Sequence, residues 1–328
     1  MYLGDQLGLY GAMRGAGPTD AAALAARAGI DERYAREWLE HEAVAGILRV
    51  AGPGEYELPE DHAPVLVDET SPAFLVPLAQ GFVGLARAMP AVLDAFRTGA
   101  GVPYEAYGPE VRSFIGRVNR PMFVNELAAT WFPAVPGLSE RLAADPPARV
   151  ADVGCGTGWS SIEIARGYPK ARVTGIDLDA ASIDTARANA VAEGVDAHVT
   201  FEQRDAADPA LAGAFDLVCA FETIHDMCDP VGALRVMRNL RAEGGTVLVA
   251  DERVADEFTV DVDDAERFQW GWSAVHCLPV ARTDPPATGT GTIMRTPRFR
   301  EYAKAAGFAD VEVLPIENDF WRFYRLVG

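Results

Sequence analysis

The sequence predicts a doubly wound α/β domain preceded by a smaller helical domain. From Ala148 to Ala250, short apolar strands alternate with helical segments, and such alternation is typical of a parallel sheet covered by helices on both faces. The first of these strands, Val150–Val153, runs into a glycine-rich turn. Residues 4–58 instead read as helices followed by strand, Pro/Gly turn and strand, which is a winged-helix arrangement.

Each element of the first half follows from caps and periodicity. Helices are predicted over 4–15, over 21–28 after Pro18-Thr19-Asp20, and after the capping residue Asp31. The hairpin spans 49–58. Residues 72–146 are mostly helical, with apolar residues on a helical period over 74–98 and 109–132. We therefore expect a winged-helix-like domain over 1–72 and a helical connector over 73–146.

The second half, 147–328, contains the sheet. Its parallel strands are predicted at 150–153, 172–177, 198–202, 215–221 and 245–250. Helices are predicted at 160–167, 180–194 and 230–240. Residues 253–296 read as an irregular insertion, and a helix at 298–307 with strands at 310–316 and 320–327 closes the chain.

Composition excludes several classes of protein. At 328 residues the chain is long enough for about two domains. Its net charge of −19 opposes nucleic acid binding, which needs clustered Lys and Arg. No apolar run reaches the ~18–20 residues that span a bilayer, and the N-terminus does not resemble a secretory signal. None of the four cysteines forms a C-x-x-C pair, so we expect reduced thiols in a cytoplasmic protein.

The winged-helix segment carries the wrong charge for a DNA reader. Residues 1–66 contain eleven acidic and five basic residues, a net charge of −6. The helix that would enter the major groove carries Glu37, Glu40 and Glu42, which repel phosphate. A transcription regulator therefore remains only an alternative interpretation of this domain.

The strongest motif is the loop Asp152-Val153-Gly154-Cys155-Gly156-Thr157-Gly158. Glycines at alternate positions let the backbone turn sharply and approach a ligand with no Cβ in the way. The spacing differs from the dinucleotide fingerprint G-x-G-x-x-G, whose third glycine lies one residue later. A ligand without a pyrophosphate is therefore favoured.

Two acidic residues follow the next strands. Asp177 ends the second strand, 19 residues after Gly158, and a carboxylate there can accept hydrogen bonds from both ribose hydroxyls. Asp205 follows the third strand, where it can accept from an adenine amino group. Both lie at the carboxyl ends of parallel strands, where open α/β sheets bind ligands.

In the order and spacing of these features, residues 147–252 resemble a class I S-adenosylmethionine-dependent methyltransferase. The resemblance implies the strand order 3-2-1-4-5-7-6 with the seventh strand antiparallel, and S-adenosylmethionine as the cofactor. It assigns the methionine amino group, ribose, adenine and methionine portion to residues of the loop and strand ends. These are Asp152, Gly154, Cys155, Gly156, Gly158, Asp177, Leu178, Asp205, Ala206 and Phe221.

The combination with the N-terminal domain resembles bacterial small-molecule methyltransferases of the actinobacterial type. In many of them the winged-helix-like domain builds a homodimer and walls the active site. The resemblance therefore implies methyl transfer to a small-molecule acceptor, with O-methylation of a secondary metabolite as the first expectation. A non-methylating reaction on the same fold stays open, and the sequence does not identify the acceptor.

The segment after the fourth strand, Phe221-Glu222-Thr223-Ile224-His225-Asp226, faces the predicted crevice. We predict that His225 accepts a proton from a substrate hydroxyl, since its ordinary pKa of about 6.5 suits a base near neutrality. Alternatively, His225 and Asp226 cap the next helix or hydrogen-bond across the loop. Glu222 is a candidate for orienting the substrate.

The insertion 253–296 contains the remaining candidates. In many small-molecule methyltransferases an insertion here covers the acceptor, so Trp270 and Trp272 are predicted to line that pocket and His276 to act in catalysis. A packed aromatic cluster that holds the insertion down is the alternative. Asp226, Asp251 and Glu252 are weak evidence for a hard cation, and we predict no metal.

Overall fold

The computed structural model describes all 328 residues and divides them into two units. The first unit comprises residues 1–83 and 113–122, and the second comprises 84–112 and 123–328. The stretch 73–146, predicted as a connector, is thus shared between the two units. No helix combines the length and the apolar character that a membrane span requires.

The first unit contains short helices and a two-stranded hairpin. Its elements are α1 (Tyr2–Gln6), α2 (Leu9–Met13), α3 (Ala21–Ala28), α4 (Glu32–Val44), β1 (Arg49–Gly52), β2 (Glu55–Glu57) and α5 (Ala63–Leu66). Asp20 and Asp31 accept hydrogen bonds from the first turns of α3 and α4, as their N-cap positions predict. The antiparallel β1–β2 pair completes the winged helix that the sequence predicts.

A buried hydrogen bond lies in the core of this unit. The hydroxyl of Tyr10 donates to Oε2 of Glu42 at 2.7 Å, and both side chains are about 1% exposed. Leu24 and Leu39 of α3 and α4 complete this core. Glu42 is therefore a structural residue, and it is not available on the surface of the helix that would read DNA.

Further helices follow along the chain. They are α6 (Leu78–Thr98), α7 (Gly108–Met122), a π-helix (Phe123–Trp131) that continues α7, and α8 (Leu138–Ala143). A single 3₁₀ turn, Tyr104–Tyr107, joins α6 to α7.

The second unit contains a seven-stranded sheet. Its elements are β3 (Arg149–Val153), α9 (Trp159–Gly167), β4 (Arg172–Asp177), α10 (Ala180–Ala192), β5 (Val199–Gln203), β6 (Phe215–Phe221), α11 (Pro230–Leu240), β7 (Arg241–Glu252), α12 (Asp264–Val275), α13 (Cys277–Val280), α14 (Thr296–Ala305), β8 (Asp310–Val313) and β9 (Trp321–Val327).

The strand order is β5-β4-β3-β6-β7-β9-β8. Counted from β3 as the first strand, this is 3-2-1-4-5-7-6. The first five strands run parallel, and β9 is antiparallel to both β7 and β8. The predicted fold class is confirmed, and the carboxyl ends of β3, β4, β5 and β6 meet at one edge, as the location of the site requires.

The prediction that residues 253–296 are irregular is wrong in part. Two helices, α12 and α13, lie inside this insertion. Asp263 caps α12 by accepting from the backbone N–H of Glu266 at 2.8 Å. The flanking Pro, Gly and Thr residues concealed this helix, because they dominate the composition of the segment while Asp264–Val275 has ordinary helix formers and a cap.

The last glycine of the loop is needed for packing. Gly158 has φ of +86°, and a Cβ there would approach Cβ of Ala186 and Cζ of Phe201 to 2.8 Å. Gly194 also has a positive φ, of +70°, but a Cβ there meets no atom within 4 Å. The two positions therefore separate backbone strain from steric overlap.

We expect Gly158→Ala to lower the free energy of unfolding by about 2–4 kcal/mol, the sum of strain and overpacking. The matched control Gly194→Ala should lower it by about 1–2 kcal/mol from strain alone. Urea denaturation followed by circular dichroism measures both. Equal losses in the two variants would show that the space beside Gly158 is not constrained.

Candidate active site

The glycine loop between β3 and α9 is shaped by positive φ angles. Gly154, Gly156 and Gly158 have φ of +72°, +51° and +86°, a region that residues with a Cβ rarely adopt. A Cβ on Gly156 would meet no atom within 4 Å. The middle of the loop therefore faces open space, as a ligand cradle requires.

Asp177 holds this loop in place. Its Oδ2 accepts a hydrogen bond from the N–H of Gly156 at 2.8 Å, and its Oδ1 accepts from the N–H of Asp179 at 2.9 Å. Burial raises the pKa of this carboxyl, and the two hydrogen bonds oppose that rise. Leu178, the next residue, is 64% exposed. An exposed leucine beside a carboxylate suits a ligand with both an apolar ring and hydroxyl groups.

Asp152 lies deeper than the sequence prediction implied. Its side chain is 1% exposed, and Oδ2 accepts from the hydroxyls of Ser160 and Ser161, each at 2.6 Å. The carboxylate thus ties the end of β3 to the first turn of α9. Cys155 is also buried, with its backbone N–H donating to Ile176. Both residues hold the loop from the side of the protein core.

The other predicted cofactor residues lie at the ends of β5 and β6. Asp205 is exposed, and its Oδ1 accepts from the N–H of Ala207 at 2.8 Å. Ala206 is partly buried against the core of the sheet. Phe221 is 6% exposed and packs against an aromatic cluster that includes Phe123, with ring centroids 5.5 Å apart.

Glu222 adopts strained backbone geometry. Its φ is +53°, which is uncommon for a residue with a Cβ, and its N–H donates to the carbonyl of Ala250 at 2.8 Å. Such strain costs on the order of 1–3 kcal/mol and clusters at functional sites. The turn after β6 is therefore held in a fixed conformation, which places the next residues over the sheet edge.

His225 follows this turn and is surrounded by carboxylates. Its Nδ1 lies 2.7 Å from Oδ1 of Asp251 and 2.9 Å from Oε2 of Glu252, and its Nε2 lies 3.1 Å from Oδ1 of Asp226. Burial lowers the pKa of His225, but the carboxylates of Glu252, Asp251 and Asp226 together raise it well above 6.5. His225 therefore holds its proton more tightly than an ordinary histidine.

The carboxylates fix the orientation of His225. Nδ1 faces Asp251, in the way a carboxylate orients the histidine of a catalytic triad. Nε2 is the nitrogen turned toward Asp226, at 3.1 Å from its Oδ1. Burial opposes ionisation of Asp226, yet the proximity of His225 lowers its pKa to about 2.

His276 has the opposite character. It is fully buried, its Nδ1 lies 3.3 Å from Sγ of Cys277, and its Nε2 has no hydrogen-bond partner. Burial lowers the pKa of His276 to about 4, and the charge of His225 adds to this effect. His276 is therefore neutral at pH 7, with a nitrogen available to a ligand.

The structure brings only one of the two predicted tryptophans to His276. Trp272 is 9% exposed and its ring lies 5.6 Å from that of His276. Trp270 is 38% exposed and contacts Arg295 and Phe258. Residues two apart on a helix project to nearly opposite sides, whereas residues four apart share a face. The helix α12 therefore separates Trp270 from the site.

Sequence reasoning missed two tyrosines at this site. The ring of Tyr107 lies 4.6 Å from that of His276, and the ring of Tyr104 lies 5.7 Å from it, both edge to face. The hydroxyl of Tyr107 donates to the carbonyl of Val275 at 2.8 Å. No motif marks these residues, because a 3₁₀ turn between two helices carries no chemical signature.

Two groups of side chains have the composition of metal sites. They are His225 with Asp226 and Cys277, and His225 with Asp251 and Glu252, each with ligand atoms within 4.8 Å of one another. His225 belongs to both groups and also pairs with their carboxylates. Nothing in the structure tests whether a metal binds here, and the absence of a metal stays a prediction.

Relative to the unfolded chain, we expect the pKa of His276 to be lowered and the pKa of His225 to be raised. By NMR of labelled imidazoles, assigned with His225→Gln and His276→Gln, His276 should gain its proton only near pH 4, and His225 should keep its proton above pH 6.5. The urea-unfolded chain, with ordinary values near 6.5, is the reference.

The same shifts have consequences for stability. His276 contributes stability that is lost as pH falls from about 6.5 to about 4, since only the unfolded chain binds the proton in that window. His225 contributes stability that is present below its unfolded pKa and is lost as pH rises through its raised folded pKa. A midpoint near 6.5 for either histidine would contradict this description of the site.

Comparison with known proteins gives independent evidence on both halves of the chain. Residues 144–285 match the model of a methyltransferase domain, and residues 1–68 match that of an Rv2258c-like winged HTH domain. Ajmaline N-methyltransferase from Rauvolfia serpentina is 33% identical over 31% of this chain and 35% of its own length. The 27-O-demethylrifamycin SV methyltransferase of Amycolatopsis mediterranei is 30% identical over 46% of this chain and 57% of its own length.

Solved structures agree over nearly the whole chain. Human N-acetylserotonin methyltransferase, solved in complex with SAM, matches 100% of this chain and 92% of its own with a TM-score of 0.65 at 22% identity. At this identity the match shows the fold. The chain spans less than two thirds of the length of the two curated relatives above. Residues 144–285 are thus similar to a methyltransferase domain and residues 1–68 to a winged helix-turn-helix domain, and the chain shares the fold of the solved methyltransferase.

Proposed function

We propose that this protein transfers a methyl group from S-adenosylmethionine to a small-molecule acceptor. The observation that carries the proposal is the carboxylate of Asp177, which fixes the loop at Gly156 while the exposed Leu178 lies beside it. A nucleoside needs this combination, because its ribose offers hydroxyl donors and its base offers an apolar face. The methyltransferase match over the same residues supports it.

The residues present fit the methyl donor. The open cradle at Gly156 gives room for its amino-acid end, and Asp177 and Leu178 are assigned to ribose and adenine. Asp205 and Ala206, after β5, would flank the adenine, and Phe221 would lie by the methionine portion. Asp152 and Cys155 hold the loop from below, since their own polar groups are used within the protein.

When bound, S-adenosylmethionine supplies an electrophilic methyl group on a sulfonium. This chain orients the acceptor and moves its proton. We assign the acceptor hydroxyl to Nε2 of His225, whose Nδ1 is fixed by Asp251. Because the pKa of His225 is raised, the deprotonated form grows with pH, and methyl transfer should accelerate as pH rises above neutrality.

The acceptor side is polar around His225 and aromatic around His276. Two buried atoms without a hydrogen-bond partner, Oδ2 of Asp251 and Nε2 of His276, are candidates for contacts with polar groups of an acceptor. The aromatic rings around His276 suit a planar, aromatic acceptor. Oxygen as the methylated atom is favoured by the name of the rifamycin enzyme.

We do not propose nucleic acid as a binding partner of this protein. Residues 1–66 carry a net charge of −6, which repels the phosphate backbone, and Glu42 of the would-be recognition helix is buried on Tyr10. All four cysteines are free thiols, which supports a cytoplasmic location.

A homodimer is the proposed assembly. One face of α6 carries apolar residues with alternating four- and three-residue spacing, the pattern by which two helices pair. They are Phe82, Ala86, Met89, Leu93 and Phe96. Three of these side chains are more than half exposed in the single chain, at 55%, 53% and 68% for Phe82, Leu93 and Phe96. A second copy of the same helix is the simplest partner for this seam.

Replacing Asp177 should weaken binding of the methyl donor. We expect Asp177→Ala to raise the Kd for S-adenosylmethionine, measured by calorimetry, about tenfold or more, equivalent to about 1.4 kcal/mol. Asp177→Asn, which keeps the shape without the charge, should fall between. Asp196→Ala, at an exposed acid before β5, is the control and should leave Kd unchanged.

Transfer itself is read by mass spectrometry on candidate metabolites with a labelled methyl donor. A labelled product supports methyl transfer, whereas conversion without label identifies a non-methylating enzyme of the same fold.

In the binding experiment, unchanged affinity of Asp177→Ala for S-adenosylmethionine would remove the assignment of this carboxylate to the donor.

The dimer is tested through its seam. We expect the wild type to elute with the mass of two chains in size-exclusion chromatography with light scattering. Leu93→Glu should shift it to one chain, because a buried unpaired carboxylate disfavours the seam. Val191→Glu, at a residue of α10 that is 65% exposed, should leave the mass unchanged. A monomeric wild type would refute the proposed assembly.

A further inference from the structure

The candidate site has a donor half, the glycine loop with Asp177, and an acceptor half, His225 with His276. Tyr104 contacts the acceptor half directly and the donor half through Arg112 and Asp179. It occupies the 3₁₀ turn between α6 and α7, and its ring contacts that of His276 edge to face at 5.7 Å. The hydroxyl of neighbouring Tyr107 is satisfied by the carbonyl of Val275. The ring of Tyr104 contacts the ring of His276 and the guanidinium of Arg112.

The surroundings of the Tyr104 hydroxyl are negative. Burial raises the pKa of this phenol well above its usual 10, and the carboxylates of Asp177, Asp226 and Asp179 raise it further. The phenol therefore remains protonated and does not serve as a base. These carboxylates come from both halves of the site, since Asp177 is assigned to the ribose and Asp226 lies beside His225.

A partly buried ion pair holds Tyr104 in position. Nε and one terminal nitrogen of Arg112 donate to the two oxygens of Asp179 at 2.6 and 3.0 Å, and the guanidinium lies 5.6 Å from the centroid of the Tyr104 ring. The N–H of Asp179 in turn donates to Oδ1 of Asp177. A continuous set of contacts thus connects the ribose acid to the Tyr104 ring.

We propose that the phenolic oxygen of Tyr104 recognises the sulfonium of the methyl donor, with Arg112 as the positioning residue. The inference rests on the proposed function. In the donor molecule, sulfur is bonded to the ribose and carries the transferred methyl. Arg112 and Asp179 connect the Tyr104 ring to the ribose acid Asp177. On the other side the ring contacts His276, whose neighbour Cys277 lies with His225 and Asp226, so we place the Tyr104 oxygen beside the sulfonium. Arg112 covers the ring face, so the oxygen is the part of Tyr104 left for the cation.

The test compares the charged donor with its uncharged product, S-adenosylhomocysteine. By calorimetry, Tyr104→Phe should weaken binding of S-adenosylmethionine about fivefold or more, and binding of S-adenosylhomocysteine less than twofold. Tyr107→Phe removes a hydroxyl three residues away that is used within the protein, and it should leave the ratio of the two affinities unchanged.

Arg112 is tested through Tyr104. Arg112→Lys keeps the charge but loses the two-pronged contact with Asp179, and it should lower the same ratio. In the double variant with Tyr104→Phe the ratio should fall no further than in Tyr104→Phe alone, because coupled residues are not additive. A strictly additive loss would refute the positioning role.

The outcomes distinguish failure of the proposed function from failure of the role of Tyr104. If wild type binds both ligands and Tyr104→Phe weakens both equally or neither, the proposed function stands and the role of Tyr104 is overturned. If wild type binds neither ligand, the proposed function is overturned, and the role of Tyr104 with it. Selective loss of the charged ligand supports the inference.

Discussion

The candidate site depends on one carboxylate at the end of a parallel strand. Asp177 accepts the N–H of Gly156 with one oxygen and the N–H of Asp179 with the other. The first bond shapes the glycine loop, and the second sets the start of α10, where Asp179 also receives Arg112. Asp177 thus contacts the glycine loop and the start of α10 directly, and it is connected through Asp179 and Arg112 to the turn that carries Tyr104.

Charge distribution divides the rest of the site into two environments. Around His225, burial lowers the pKa of the imidazole, but three nearby carboxylates together raise it by more, which favours the charged form. Around His276, burial among aromatic rings lowers the pKa, so the same side chain type stays neutral. The contrast comes from the neighbours of each ring, and it gives the site one strong base and one weak hydrogen-bonding nitrogen.

Much of the fold was predictable because it is encoded locally. Alternating strands and helices predicted the sheet, and Asp20 and Asp31 were recognisable as caps from their place before apolar runs. Inside the insertion local signals failed: Pro, Gly and Thr concealed α12, and the prediction that placed Trp270 and Trp272 together ignored their helical phase. The strand order itself followed from family resemblance.

The sequence by itself determined the glycine loop, the acids after the strands and the acidic character that argues against a DNA reader, because each depends on residue type and short spacing. Only the tertiary structure decided that Asp251 and Glu252 flank His225 and that Asp152 accepts hydrogen bonds from two serines. It also decided that the ring of Tyr104 contacts the ring of His276. These contacts join residues far apart in the chain, and their pKa values depend on burial and neighbouring charge, neither of which sequence spacing records.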